Sequence, residues 1–109
     1  MAYDTQLSDR VRAALGPQTG LTEKKMFGGI GFMINGNMAC GVHADELILR
    51  LAVADTEATL KKPHTRSFDM SGRPMRGWVL VHADGLKTEA ALKKWMAIGV
   101  SYATSLPAK

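Results

Sequence analysis

Asn35-Gly36 stands between two alternating apolar runs, and this pair does most to limit how the chain can fold. Ile30, Phe32 and Ile34 lead into it, alternating with Gly31 and Met33; Met38, Cys40 and Val42 lead out. Both central residues of the tightest hairpin turn need positive φ, which Asn and Gly adopt most readily, so the two runs are expected to be neighbouring antiparallel strands. Thr22–Phe27 reads as a strand before them, ended by Gly28-Gly29. A turn near Ala44-Asp45 leads to a strand after them, Glu46–Leu51, with Leu47, Leu49 and Leu51 on one face. The middle of the chain is thus a meander of three or four strands.

Helical spacing flanks the meander. Leu7, Val11, Ala14 and Leu15 form a stripe that Asp4 can cap and Gly16-Pro17 must stop. A second helix is expected over Ala54–Lys62, ended by Pro63, followed by a strand over Thr65–Met70 and a turn through Ser71-Gly72-Arg73-Pro74. In the next strand, Met75–His82, the residues Trp78, Val79, Leu80 and Val81 are apolar on both faces, which places it inside the sheet. After a turn at Asp84-Gly85, Thr88 caps a last helix. Its stripe runs through Leu92, Trp95, Met96, Gly99, Tyr102, Ala103 and Leu106 to Pro107. The order α, three or four β, α, two β, α implies an α+β two-layer sandwich with an antiparallel sheet of about five to six strands.

With 109 residues, 46% of them hydrophobic, the chain is expected to be one folded domain over residues 1–109, neither disordered nor in need of a metal or disulfide staple. Its single cysteine, Cys40, has no internal partner, and the N-terminus carries no basic and apolar leader. No uncharged run is apolar enough to span a bilayer, so the expected placement is cytoplasmic, away from membranes.

Chemistry is sparsely signalled. Gly28-Gly29-Ile30-Gly31 has the composition of a phosphate loop, but a strand follows it where a phosphate loop needs a helix N-terminus, so a bulge and close strand packing are expected instead. Cys40 and His43 are three apart on a strand, hence on opposite faces, and with His64 and His82 they offer no spacing for a metal. The carboxylates fall at turns, caps and helix surfaces. No catalytic residue, metal ligand or cofactor is expected, and the chain is not read as an enzyme; a small-ligand binder or enzyme using Cys40 and the nearby glycines is the least favoured alternative.

Charge is more informative. Fourteen Lys and Arg against ten Asp and Glu give a net +4. Between residues 61 and 76 five bases, Lys61, Lys62, Arg66, Arg73 and Arg76, face Asp69 alone, so this segment carries the whole excess. Such a segment could meet phosphate, an acidic protein surface or water. Trp78 follows it in the doubly apolar strand, where one face is open to core packing or to a partner. These six residues are the candidate partner and anion-contact patch. No aromatic interleaving or long basic helix accompanies them, so nucleic-acid binding is an alternative and not the leading reading.

Four segments also form a family pattern. Lys24-Lys25-Met26-Phe27-Gly28-Gly29-Ile30-Gly31-Phe32-Met33 with Asn35-Gly36-Asn37-Met38-Ala39-Cys40-Gly41-Val42, then Arg73-Pro74-Met75-Arg76-Gly77-Trp78-Val79-Leu80-Val81 and Ser105-Leu106-Pro107, resemble the N-terminal domain of the TfoX/Sxy family. The resemblance covers essentially the whole chain and implies a two-layer α+β fold. It also implies kinship with bacterial regulators of natural competence, which act beside the cyclic-AMP receptor protein and carry a second, C-terminal domain that is not expected here. It brings no catalytic or ligand set. The resulting expectation is a small regulatory module acting through protein contacts, with the transcription machinery among its candidate partners and self-association as a homodimer.

Overall fold

Asp4 caps the first helix as its position predicts, its Oδ1 accepting hydrogen bonds from the backbone N–H groups of Gln6 (2.9 Å) and Leu7 (3.2 Å). Helix α1 spans Thr5–Leu15 and ends at Gly16, whose φ of 62° suits glycine. The computed structural model of the protein describes residues 3–26, 28–70 and 73–108, the side chains of Met70, Arg73 and Pro74 excepted. Four strands follow α1: β1 (Leu21–Met26), β2 (Gly29–Ile34), β3 (Asn37–His43) and β4 (Glu46–Arg50). Asn35 and Gly36 take φ of 53° and 83°, the left-handed pair expected of the hairpin between β2 and β3.

A 3-10 turn at Val53–Asp55 leads into α2 (Thr56–Leu60), then come β5 (Thr65–Met70), β6 (Arg73–Val81), a second 3-10 turn at Ala83–Gly85 and α3 (Glu89–Ser105). Several boundaries differ from the sequence expectation by one or two residues, those of the second helix and of β6 most. The second helix is shorter than Ala54–Lys62, its first turn wound as 3-10. One end is tied to the sheet, because Thr56 Oγ1 accepts the Gly77 N–H at 2.8 Å. Strand β6 begins at Arg73 instead of Met75. Phe27, expected to end the first strand, and Ser71-Gly72 of the expected turn lie outside the described residues.

The six strands form one sheet in the order β1-β2-β3-β4-β6-β5, every neighbouring pair antiparallel. β6 sits between β4 and β5, as its apolar run through Trp78 to Val81 requires. One face carries the main core. Leu7, Val11 and Leu15 of α1 and Leu92 and Met96 of α3 close over Phe32, Cys40, Val42, Leu47 and Val81. At the centre, α3 comes so close that a β-carbon on Gly99 would collide with the Ala39 carbonyl oxygen and lie 2.9 Å from its carbon. Helix α2 packs on β5 and β6, and the segments on either side of it line two surface cavities with α3, Leu51, Ala52 and Asp55 in one and Lys62, Pro63 and His64 in the other.

The opposite face is organised differently. Met38, Ile48, Phe68 and Leu80 are buried there, with Met26, Met33 and Trp78 partly buried against them, and no helix residue joins the cluster. Gly31 and Gly41 face each other across β2 and β3. A β-carbon at Gly41 would lie 2.7 Å from Met38 Cε, and one at Gly31 would lie 3.1 Å from Met26 Sδ. The glycines therefore make a trough that flexible thioethers fill, which is the packing role expected of the glycine-rich stretch.

Arg12 fastens α1 to the edge of the sheet. Its guanidinium forks onto Glu23 at 2.6 and 2.8 Å and reaches Asp9 at 2.7 Å. The hydrogen-bonded guanidinium holds the Glu23 carboxyl below its ordinary value of 4.5.

Two outcomes follow from this packing. Gly99→Ala forces α3 off the Ala39 carbonyl and should lower the unfolding free energy by about 2 kcal/mol in urea titration, with an unchanged slope. Glu23 titrates lower when folded than when unfolded, so its pairing stabilises fully above the ordinary carboxyl value and fades as pH falls through the folded one. Glu23→Gln should cost less than about 1 kcal/mol at neutral pH, since the pair is partly exposed, and the gap from wild type should close on acidification.

Candidate functional site

The basic segment that looks continuous in sequence is divided by the fold. Lys61 caps the C-terminus of α2 and Lys62 follows it on the helix side, where Lys62 Nζ lies 5.7 Å from the ring centroid of Trp95 on α3. Arg66 lies on the other face. It stands opposite Leu80 in the β5–β6 register, and Leu80 belongs to the cluster that no helix covers. Its guanidinium forks onto Glu46, Nε to Oε2 at 3.0 Å and Nη2 to Oε1 at 2.6 Å, and Glu46 is only 7% exposed. Arg76 is exposed on β6. The backbone of Arg73 belongs to the same strand, but its side chain lies outside the described residues.

Trp78 is half-buried on the face without helices. Its ring meets Phe68 edge-on at a centroid distance of 6.3 Å. Arg50 lies directly opposite Trp78 across β4 and β6, with its guanidinium carbon 5.5 Å from the indole centroid and 5.5 Å from the ring of Tyr102 on α3. Arg50 was not among the sequence candidates. The Leu47, Leu49, Leu51 alternation does place it on the opposite face, but its meeting with Trp78 depends on pairing strands 28 residues apart, which no local pattern encodes. Arg50, Arg66 and Trp78, with Lys24 exposed on β1, give this face an apolar centre and a mainly basic rim. His43 contributes a ring 6.1 Å from Phe68, and its buried Nδ1 has no hydrogen-bond partner among the described residues.

The remaining candidates separate cleanly. Cys40 is fully buried in the main core while His43 faces the other way, so the strand keeps them apart as the three-residue spacing implies. Burial pushes the Cys40 thiol up to about 12. His82 accepts the Asp84 N–H at 3.1 Å and closes the 3-10 turn before α3. Among the described residues no group of three or more His, Cys, Asp or Glu side chains converges as a metal site would. No described helix is long and apolar enough to cross a membrane.

A thiol so buried and so weakly acidic should not react with a disulfide reagent such as dithionitrobenzoate at pH 8 while the chain is folded, and should react fully in urea. Fast labelling of the native protein would contradict the placement of Cys40.

Comparison with curated proteins and with solved structures finds no match to this chain. Comparison with family models matches the TfoX N-terminal domain over residues 13–103. That span takes in all six strands, α2, most of α3 and only the last residues of α1. The chain belongs to the TfoX N-terminal domain family.

Proposed function

We propose that the protein is a regulatory interaction module, akin to the competence regulators of its family, that binds a partner protein on the sheet face left without helices. The observation that carries this reading is the second apolar cluster itself. Phe68, Met38, Ile48 and Leu80 form a packed floor, half-buried Trp78, Met26 and Met33 lie over it, and Arg50 and Arg66 stand at its margin. A tryptophan beside arginines over a packed floor is the composition that dominates binding energy at protein interfaces. Arg50 and Lys24, which take part in none of the ion pairs among the described residues, favour an acidic surface with an apolar anchor as the occupant. A second copy on the same face would set Arg50 and Lys24 against a rim of the same sign, so a different protein fits better there than a homodimer. Direct nucleic-acid binding through the 61–76 segment is weaker support for function, because Lys62 and Arg66 lie on opposite sides of the sheet and Glu46 neutralises Arg66.

The test compares capture by the wild-type chain with capture by a Trp78→Glu, Arg50→Glu variant whose fold is checked by circular dichroism. An acidic protein that binds directly, and loses about thirtyfold or more in affinity to the variant, supports the sheet face. Equal binding by both rules it out. Light scattering at tens of micromolar reads the homodimer directly. Duplex DNA binding with a log–log salt slope of about −4 to −5 would move the function to the basic segment.

A further inference from the structure

A cavity of about 330 Å³ opens on the helix side, between the loop that joins α2 to β5 and the outer flank of α3. Its α3 wall is Ala91, Lys94, Trp95 and Ile98, a helical stripe beside the core stripe of Leu92, Met96 and Gly99. Sequence spacing assigns Trp95 to the core. In the fold it is partly buried, packed against the main core and also lining the cavity. Lys62 brings its ammonium from the opposite, loop side to within 5.7 Å of the indole centroid. No carboxylate lines the cavity, and none of the ion pairs among the described residues uses Lys62 or Lys94.

The loop wall is fixed by the fold. His64 takes a φ of 68°, unusual for a residue with a β-carbon, and its carbonyl accepts the His82 N–H at 2.6 Å. Gly85 leaves it room, since a β-carbon there would lie 2.9 Å from His64 Cβ. Volume, apolar walls and a few convergent polar groups are the marks of a small-molecule site, whose usual size begins at about 300 Å³.

We infer that this cavity binds a small aromatic anion, its flat apolar body against Trp95 and Ile98 and its carboxylate or phosphate between the ammonium groups of Lys62 and Lys94. The site is separate from the sheet face and does not depend on the partner reading. A ligand here bridges the α2–β5 loop to α3, elements otherwise joined at this point by side-chain packing.

The test is a nitrogen–proton NMR titration of the full 109-residue chain with 1-naphthoate, adenosine monophosphate and the neutral 1-naphthamide. The expected result is a saturable shift confined to the amides of Lys62, His64 and Lys94 and the indole N–H of Trp95, for one anion or both. Naphthoate and the nucleotide distinguish a carboxylate site from a phosphate site. Binding should weaken about tenfold or more for naphthamide and for Lys62→Ala, Lys94→Ala. It should persist in Lys25→Ala, Lys93→Ala, which removes the same charge elsewhere. All four lysines are exposed, and unchanged signals away from the cavity confirm that each variant is folded. No saturable shift with either anion at millimolar concentration, equal binding of naphthamide, or unimpaired binding by the Lys62, Lys94 variant would overturn the assignment.

Discussion

The approach of α3 to the middle of the sheet governs the rest of the structure. Gly99 lets the helix backbone touch the backbone of β3 at Ala39, with Leu49 of β4 alongside. A helix set that low buries Cys40, Val42 and Leu47 without needing large residues of its own at the contact, and leaves α1 to fill the space over β2 and β3. It also decides what remains. All the helical cover is spent on one face, α2 is held at the margin, and the opposite face must bury its own apolar residues.

That opposite face shows how a sheet can be sealed by its own side chains. Gly31 and Gly41 remove two side chains from adjacent positions, and methionines fold into the space. Thioethers are well suited to this because they fill irregular gaps with little rotamer penalty. Such a covering is also easily rearranged. A partner that displaces Met26 and Met33 meets a floor already packed, whereas a helix laid there would first have to be removed.

The local features of the fold were legible because each rests on a few adjacent residues. Asn35-Gly36 demands a hairpin, Asp4 and Thr88 offer caps, and the run from Trp78 to Val81 is too apolar for an edge. What could not be read depends on distant pairing. The basic segment of residues 61–76 passes from the helix layer to the far face within a few residues, because β5 turns Arg66 away from Lys62. Glu46, 20 residues from Arg66, looks like an ordinary turn carboxylate until the sheet brings them together. Helix α2 reads longer than it is, since Thr56 turns inward to take the Gly77 N–H instead of facing solvent. Trp95 reads as core because helical spacing cannot tell the middle of a buried stripe from its margin.

The two outermost strands carry a consequence for the chain in a crowded cell. An exposed strand edge is a template for fibril growth, since its free N–H and C=O groups can recruit another strand. Here β1 presents Thr22, Glu23, Lys24 and Lys25 to solvent in succession, and Arg12 engages Glu23 from the helix layer. At the other end, β5 is interrupted by a register shift between Ser67 and Asp69 and carries charge at Arg66 and Asp69. Recruitment of a neighbouring chain would have to strip hydration from those charges and straighten that irregularity before gaining a hydrogen bond. The sheet can therefore leave one face without helical cover and still resist polymerising through its sides.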